Sequence, residues 1–126
     1  MLELCRLEDI PDGGARGFAV EGPEFAQRLV VVRRGEAVYG YVNFCPHVPT
    51  RLDYSPGEFL DETGTLLECQ GHGAQFRVED GYCIEGPCEG ELLRPAAVRA
   101  ADGRVWFDRE DVALVDEISR VMSDLR

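Results

Sequence analysis

Histidine is scarce in this sequence, with only two among 126 residues, and cysteine comes to an odd five. So few thiols, odd in number, argue against a disulfide-stapled scaffold and for a reducing, cytoplasmic setting. The start lacks a basic segment running into an apolar one; Met1-Leu2-Glu3-Leu4-Cys5 reads instead as the beginning of a strand, so no secretory signal is expected. No apolar stretch approaches the roughly 20 residues that a membrane-spanning helix needs. Positive charge is also in deficit: 13 basic residues face 24 acidic ones, for a net charge of −11. Nucleic acids and anionic membranes would repel such a surface, which removes both as partners. The same charge suits either simple solubility or steering toward basic patches on other proteins. Neither an internal repeat nor a low-complexity segment is present, and the length suits one domain with its own core.

Both histidines fall in two short segments that also hold two of the cysteines, Cys45-Pro46-His47 and Cys69-Gln70-Gly71-His72. Two soft sulfurs and two neutral imidazoles suit a metal centre. The set has two common tenants, a tetrahedral zinc or a 2Fe-2S cluster with cysteines on one iron and histidines on the other. Zinc fingers usually pair Cys with Cys and His with His along the chain, whereas here each segment mixes the two types. Facing loops of this kind can put both sulfurs on one side and both rings on the other.

In C-x-H followed by C-x-x-H the chain resembles the Rieske iron–sulfur family, over most of its length. The resemblance implies that Cys45 and Cys69 hold the inner iron and that His47 and His72 hold the outer iron near the surface. It further implies that Leu52 shields the cluster, that Gly73 follows the second ligand pair, and that Gly86-Pro87 belongs to a third loop covering the site. Taken alone, Leu52 and Pro87 read equally well as ordinary packing and an ordinary turn. The high-potential respiratory members carry an additional disulfide between the loops, but Thr50 and Gly71 stand at those positions here. Those members also place hydroxyl donors where this chain has Ala74 and Phe76. Without donors to stabilise the more negative reduced state, the midpoint should lie toward the low end of the Rieske range, roughly −150 mV. The interval from 48 to 68 is longer than the family norm, and Tyr54 to Gly64 reads as a surface excursion.

Short strand signals separated by turns fill the rest. Leu2, Leu4 and Arg6 share a face, Pro11-Asp12-Gly13-Gly14 turns, and Ala15 to Glu21 reads as a second strand. Arg28 to Arg33 and Ala37 to Val42 flank Arg34-Gly35-Glu36 as a hairpin that delivers Asn43-Phe44 to Cys45. Thr65 to Glu68 leads into Cys69, Ala74 to Val78 and Gly81 to Ile84 form another hairpin, and Leu92 to Ala100 pairs with Arg104 to Phe107. The expected fold is mainly β, a Rieske-like antiparallel sandwich or partly closed barrel with a small cluster-binding subdomain at one end. The domain spans 1–108, with the binding loops at about 45–88. Residues 109–126 place Val112, Val115, Ile118, Met122 and Leu125 at helical spacing behind Asp108 as cap, and predict an amphipathic C-terminal helix packed on the domain or at a homodimer or partner contact. Cys5 is expected inside its strand. Cys83 and Cys88 flank the covering loop, where a disulfide between them is sterically open but opposed by a reducing compartment.

What the resemblance implies for function is electron transfer. Two cysteinates and two neutral histidines leave the oxidised cluster near zero formal charge, which makes an added electron cheaper than on a four-cysteinate cluster. Oxygenases of the family add a mononuclear iron held by two histidines and a carboxylate, and both histidines of this chain are committed elsewhere. The chain is therefore expected to be no enzyme but a ferredoxin, taking one electron from a flavoprotein reductase and giving it to a terminal oxygenase or similar enzyme. Two alternatives stay open, a small subunit of a larger reductase resembling the nitrite reductase accessory subunit, and a zinc-stabilised interaction module.

Overall fold

The computed structural model describes residues 2–21, 27–45, 51–53, 57–69, 73–87 and 89–108. The strands in chain order are β1 (Leu2–Arg6), β2 (Ala15–Val20), β3 (Gln27–Arg34), β4 (Ala37–Val42), β5 (Leu66–Glu68), β6 (Gln75–Arg77), β7 (Cys83–Glu85), β8 (Val98–Ala101) and β9 (Arg104–Phe107). They form three antiparallel sheets among the described residues, ordered β1-β9-β8, β2-β3-β4 and β5-β6-β7. The mainly β architecture expected from the turn spacing is borne out.

Strand β3 explains how one core serves all three sheets. Leu29, Val30, Val31 and Val32 are all fully buried, the mark of a strand covered on both faces. Alternation sends Val30 and Val32 into the cluster that contains Cys45, Cys69 and Phe76. It sends Leu29 and Val31 the other way, against Phe107 and Val105 of β9 respectively. The hairpin to β4 closes through Arg34 paired with Ala37, leaving Gly35-Glu36 as its tip, with Gly35 at φ 62. The β8–β9 hairpin turns at Asp102-Gly103, both at positive φ as a type I′ turn demands.

The small sheet β5-β6-β7 is pinned to the larger body by Tyr41. Its buried hydroxyl donates to the Val78 carbonyl at 2.6 Å, across the lobe boundary. The ring lies so close to Gly81 that a β-carbon there would sit 2.8 Å from Tyr41 Cε1, and Gly81 also holds φ 74. Burial first, then the nearby Asp80 and Glu79 carboxylates, push the Tyr41 pKa up to about 12, so the hydroxyl remains a donor throughout the physiological range.

Two expectations change in the structure, and one short element is added. The eighth strand begins at Val98 rather than Leu92, because the segment before it bonds to other partners than β9: the Leu93 N–H donates to the Gly81 carbonyl at 2.9 Å, and around the isolated Tyr41–Pro95 bridge the Val42 N–H donates to Arg94 and the Ala96 N–H to Gly40, at 2.8 and 2.9 Å. A 3-10 turn, Leu7–Asp9, follows β1, where the Arg6 N–H donates to the Asp9 carboxylate at 3.0 Å. The excursion after the first ligand loop is not all surface. Phe59 is 1% exposed and belongs to the same apolar cluster as the two ligand-loop cysteines. Its carbonyl accepts from the Glu68 N–H at 2.8 Å, Leu60 bridges Leu67, and the ring fills the space that Gly17 leaves open on β2. Tyr54 to Pro56 and the predicted helix at 109–126, with any contact it makes, lie outside the described residues.

Candidate metal centre

The first of the two Cys–His segments leaves the end of β4, where Asn43 still pairs with β3 through its N–H to the Arg28 carbonyl at 2.9 Å. Cys45, two residues on, is fully buried. The loop is closed at its base by the side chain of Asn43, itself 5% exposed. Asn43 Oδ1 accepts from the Leu52 N–H and Asn43 Nδ2 donates to Asp53 Oδ1, both at 2.7 Å. Asp53 also accepts from Arg51, through Nε at 3.1 Å and Nη2 at 2.9 Å, and from the Gly57 N–H at 3.0 Å. Burial on its own would raise the Asp53 carboxyl pKa. The hydrogen bonds from Arg51, Asn43 and Gly57 and the charge of Arg51 more than offset this and bring it down to about 2. Asp53 is thus an ionised, 4% exposed carboxylate whose partners each fix one end of the loop.

The second loop follows β5 and is closed by backbone alone. The Cys69 N–H donates to the Ala74 carbonyl and the Gly73 N–H to the Cys69 carbonyl, both at 2.8 Å. Gly73 adopts φ 73, a left-handed conformation that favours glycine at the end of such a loop. Cys69 is fully buried, as are Ala74 and Phe76 on the strand that leaves the loop. The third loop sits directly on this base. A β-carbon on Gly86 would lie 2.7 Å from the Ala74 Cα, and Gly86 also holds φ 105. That loop is tied to β7 by the Gly90 N–H to the Cys83 carbonyl at 3.0 Å and the Cys83 N–H to the Glu91 carbonyl at 2.8 Å.

Of the residues singled out from sequence, Cys45, Cys69, Leu52, Ala74 and Phe76 therefore come together in one dry cluster. Gly73 and Pro87 are exposed beside it, at the mouths of the second and third loops. His47 and His72, the other proposed ligands, lie outside the described residues, as does Cys88 and with it the Cys83–Cys88 pairing. The donor chemistry fits a 2Fe-2S cluster. Two buried sulfurs, set on adjacent loops in an apolar surround, match the inner-iron half of the site. Positions 74 and 76 add no side-chain hydroxyl. Cys5 is a buried thiol in β1, well apart from this cluster in the core it packs against.

The brace formed by Asn43, Arg51 and Asp53 is not legible in the sequence. The only signal available was positional, an Asn and an Asp ten residues apart at the two ends of the first loop. From sequence Tyr41 is a strand residue and nothing more, since its partner carbonyl at Val78 is 37 residues away.

Comparison with known proteins points the same way as the loops. The model of the Rieske [2Fe-2S] domain family matches residues 1–101. The ferredoxin component of a naphthalene 1,2-dioxygenase system from Pseudomonas aeruginosa is 32% identical over 107 residues, 85% of this chain and 93% of that protein. Among solved structures, one from a complex of reduced oxygenase and oxidised ferredoxin in carbazole 1,9a-dioxygenase superposes with a TM-score of 0.66 at 27% identity, over 86% of this chain and 92% of that one. The ferredoxin of carbazole 1,9a-dioxygenase from Nocardioides aromaticivorans IC177 gives a TM-score of 0.65 at 25% identity, over 82% of this chain and 92% of that one.

Proposed function

The chain belongs to the Rieske [2Fe-2S] domain family, and from that premise we propose that it is the ferredoxin of an oxygenase system, carrying one electron from a reductase to a terminal oxygenase. The observation that carries this reading is the joint burial of Cys45 and Cys69 at the bases of two separately braced loops, in a chain whose relatives are ferredoxin components. When bound, the cluster supplies one-electron chemistry near zero formal charge. Cys45 and Cys69 would hold it from within and His47 and His72 from the solvent side. Leu52, Ala74 and Phe76 exclude water from the sulfurs, and a dry wall strengthens every dipole that faces them. The Asn43–Asp53–Arg51 brace and the Cys69–Ala74 closure hold the loops still, which keeps the geometric change between oxidation states small.

We assign substrate chemistry to the partner rather than to this chain, because both of its histidines are taken up as ligands in this reading. The donor would be a flavoprotein reductase and the acceptor the oxygenase. We also assign the carrier to a reducing cytoplasm, in keeping with the buried thiol of Cys5. No helix among the described residues is long and apolar enough to cross a membrane.

Anaerobic reconstitution with iron and sulfide, followed by elemental analysis, tests the assignment. Two irons and two acid-labile sulfides per chain are expected. A colourless product holding a single zinc and no sulfide would replace the carrier by a zinc-stabilised module.

A further inference from the structure

Sheet edges expose backbone donors and acceptors, and proteins ordinarily cover or blunt them. Several are covered here. The outer edge of β4 is taken by Arg94 and Ala96, that of β5 by Phe59, and that of β7 by Glu91, each through backbone hydrogen bonds of 2.8 to 2.9 Å. Strand β1 is bent by a bulge between Glu3 and Cys5. Strand β2 has none of these protections. It lies at the end of the β2-β3-β4 sheet, runs six residues and pairs with β3 in unbroken register without a proline. Arg28 turns its carbonyl toward β4, where it accepts the Asn43 N–H at 2.9 Å, so Arg28 and the Ala19 opposite form a non-hydrogen-bonded pair. Alternation then aims the N–H and C=O groups of Ala15, Gly17 and Ala19 away from β3. None of them has a backbone partner among the described residues.

A cleft of about 340 Å³ adjoins this edge. Gly17, Ala19 and Arg28 share the face that borders it, and Arg51, Asp53 and Gly57 complete its lining. Its charge is positive on balance. Asp53 is neutralised by Arg51, whereas Arg28 is exposed and has no ion-pair partner among the described residues. Arg16, also exposed and without a carboxylate partner among them, stands on the other face of β2, over the Phe18 ring at 5.2 Å. The strand itself holds no carboxylate. In a chain of net charge −11 this edge is a local reversal of sign.

We propose that an extended segment of a partner protein adds to β2 as a further strand, with aspartate or glutamate on the side chains that enter the cleft. Main-chain bonds to Ala15, Gly17 and Ala19 hold such a strand, and its alternate side chains, on the face shared with Gly17, meet Arg28. Charge selects the occupant. A second copy of β2 would bring arginine rather than carboxylate, and two chains of −11 repel each other. The site goes beyond the carrier reading and supplies no step to it. In that reading the electron leaves past His47 and His72, while the added strand tethers the partner beside the brace of Asn43, Arg51 and Asp53.

Hydrogen exchange of the reconstituted holoprotein, read by mass spectrometry, tests this. The probe is a capped hexapeptide of alternating valine and glutamate, and its lysine counterpart is the control. In the free protein the outward amides of β2 should exchange fast. With the glutamate peptide at about ten times its Kd, their exchange should slow about ten-fold while the other strands stay unchanged. The lysine peptide should protect less, although the net charge of the chain favours it. Arg28→Glu should weaken binding of the glutamate peptide on the order of ten-fold. Ala19→Pro removes an outward N–H without breaking a bond to β3 and should abolish the protection. Both variants should keep the wild-type visible absorption; should Ala19→Pro lose it, Arg28→Glu alone decides. Equal protection by the lysine peptide, no protection by either, or a wild-type response in Arg28→Glu would overturn the proposal. So would an edge already protected in the free protein, at every concentration if a segment of its own chain covers it, or only as concentration rises if a second copy does. The carrier reading is judged separately, by the visible absorption of the reconstituted wild type.

Discussion

Asn43→Ala should be far more damaging than its place on a short loop suggests. The substitution removes the acceptor of the buried Leu52 N–H, at about 1–3 kcal/mol. It also takes one donor from the buried, ionised Asp53, at about 1.5–3 kcal/mol for a bond to a charged group. Together these come to about 2.5–6 kcal/mol, a large share of the about 5–15 kcal/mol that holds a domain together. With a urea m-value of about 2 kcal/mol/M, the midpoint should fall by about 2 M. The acid limb offers an internal control. Asp53 has its folded pKa lowered to about 2 from an unfolded value of 3.8, so its contribution is complete above pH 4 and disappears as pH falls through 2. The full contribution is about 2 kcal/mol, and about 1 kcal/mol of it is lost between pH 6 and pH 3. Urea titrations followed by far-ultraviolet circular dichroism at both pH values, on wild type and Asp53→Asn, should show this increment in the first and not in the second. A cost below about 1 kcal/mol for Asn43→Ala, or an unchanged acid limb in Asp53→Asn, would refute the brace as the element that holds the first ligand loop.

Further substitutions probe the other contacts. Gly86→Ala puts a methyl into the Ala74 backbone at an unfavourable φ and should cost about 2–3 kcal/mol, read as visible absorption bleaching at lower temperature than in wild type. Tyr41→Phe leaves the Val78 carbonyl without its donor and should destabilise by about 1–3 kcal/mol in chemical denaturation, without changing the visible spectrum. Ala74→Ser and Phe76→Tyr each offer a hydroxyl to the sulfurs and should raise the midpoint potential in a redox titration. The gain is about 45 mV for every kcal/mol by which the new bond favours the reduced state. A downward shift in both would contradict the assigned orientation of positions 74 and 76.

Much of this was legible in the chain because local signals and tertiary roles agree. The four-valine-like run of β3, the Gly35 and Asp102-Gly103 turns, and the two Cys-x-His and Cys-x-x-His segments each carry their own instruction. What escaped was carried by contacts between distant residues. Phe59 sits in a stretch that reads as an insertion, and the Gly17 that makes room for its ring lies 42 positions earlier. The brace escaped because Asn43 and Asp53 are unremarkable turn residues until the loop brings them within 2.7 Å. The hydrophobic pattern through Leu92 and Leu93 runs on into β8, and nothing local registers that this segment bonds to Gly81 and β4 instead of β9.

The central claim is that sulfur ligates from within and imidazole from without. Electron paramagnetic resonance of the dithionite-reduced protein addresses it most directly, on wild type and on His47→Cys and His72→Cys. Mixed ligation predicts a rhombic signal with a lower average g than four cysteinates give, shifted or lost in either variant. A wild-type spectrum of the four-cysteinate kind, or one that both substitutions leave unchanged, would contradict it.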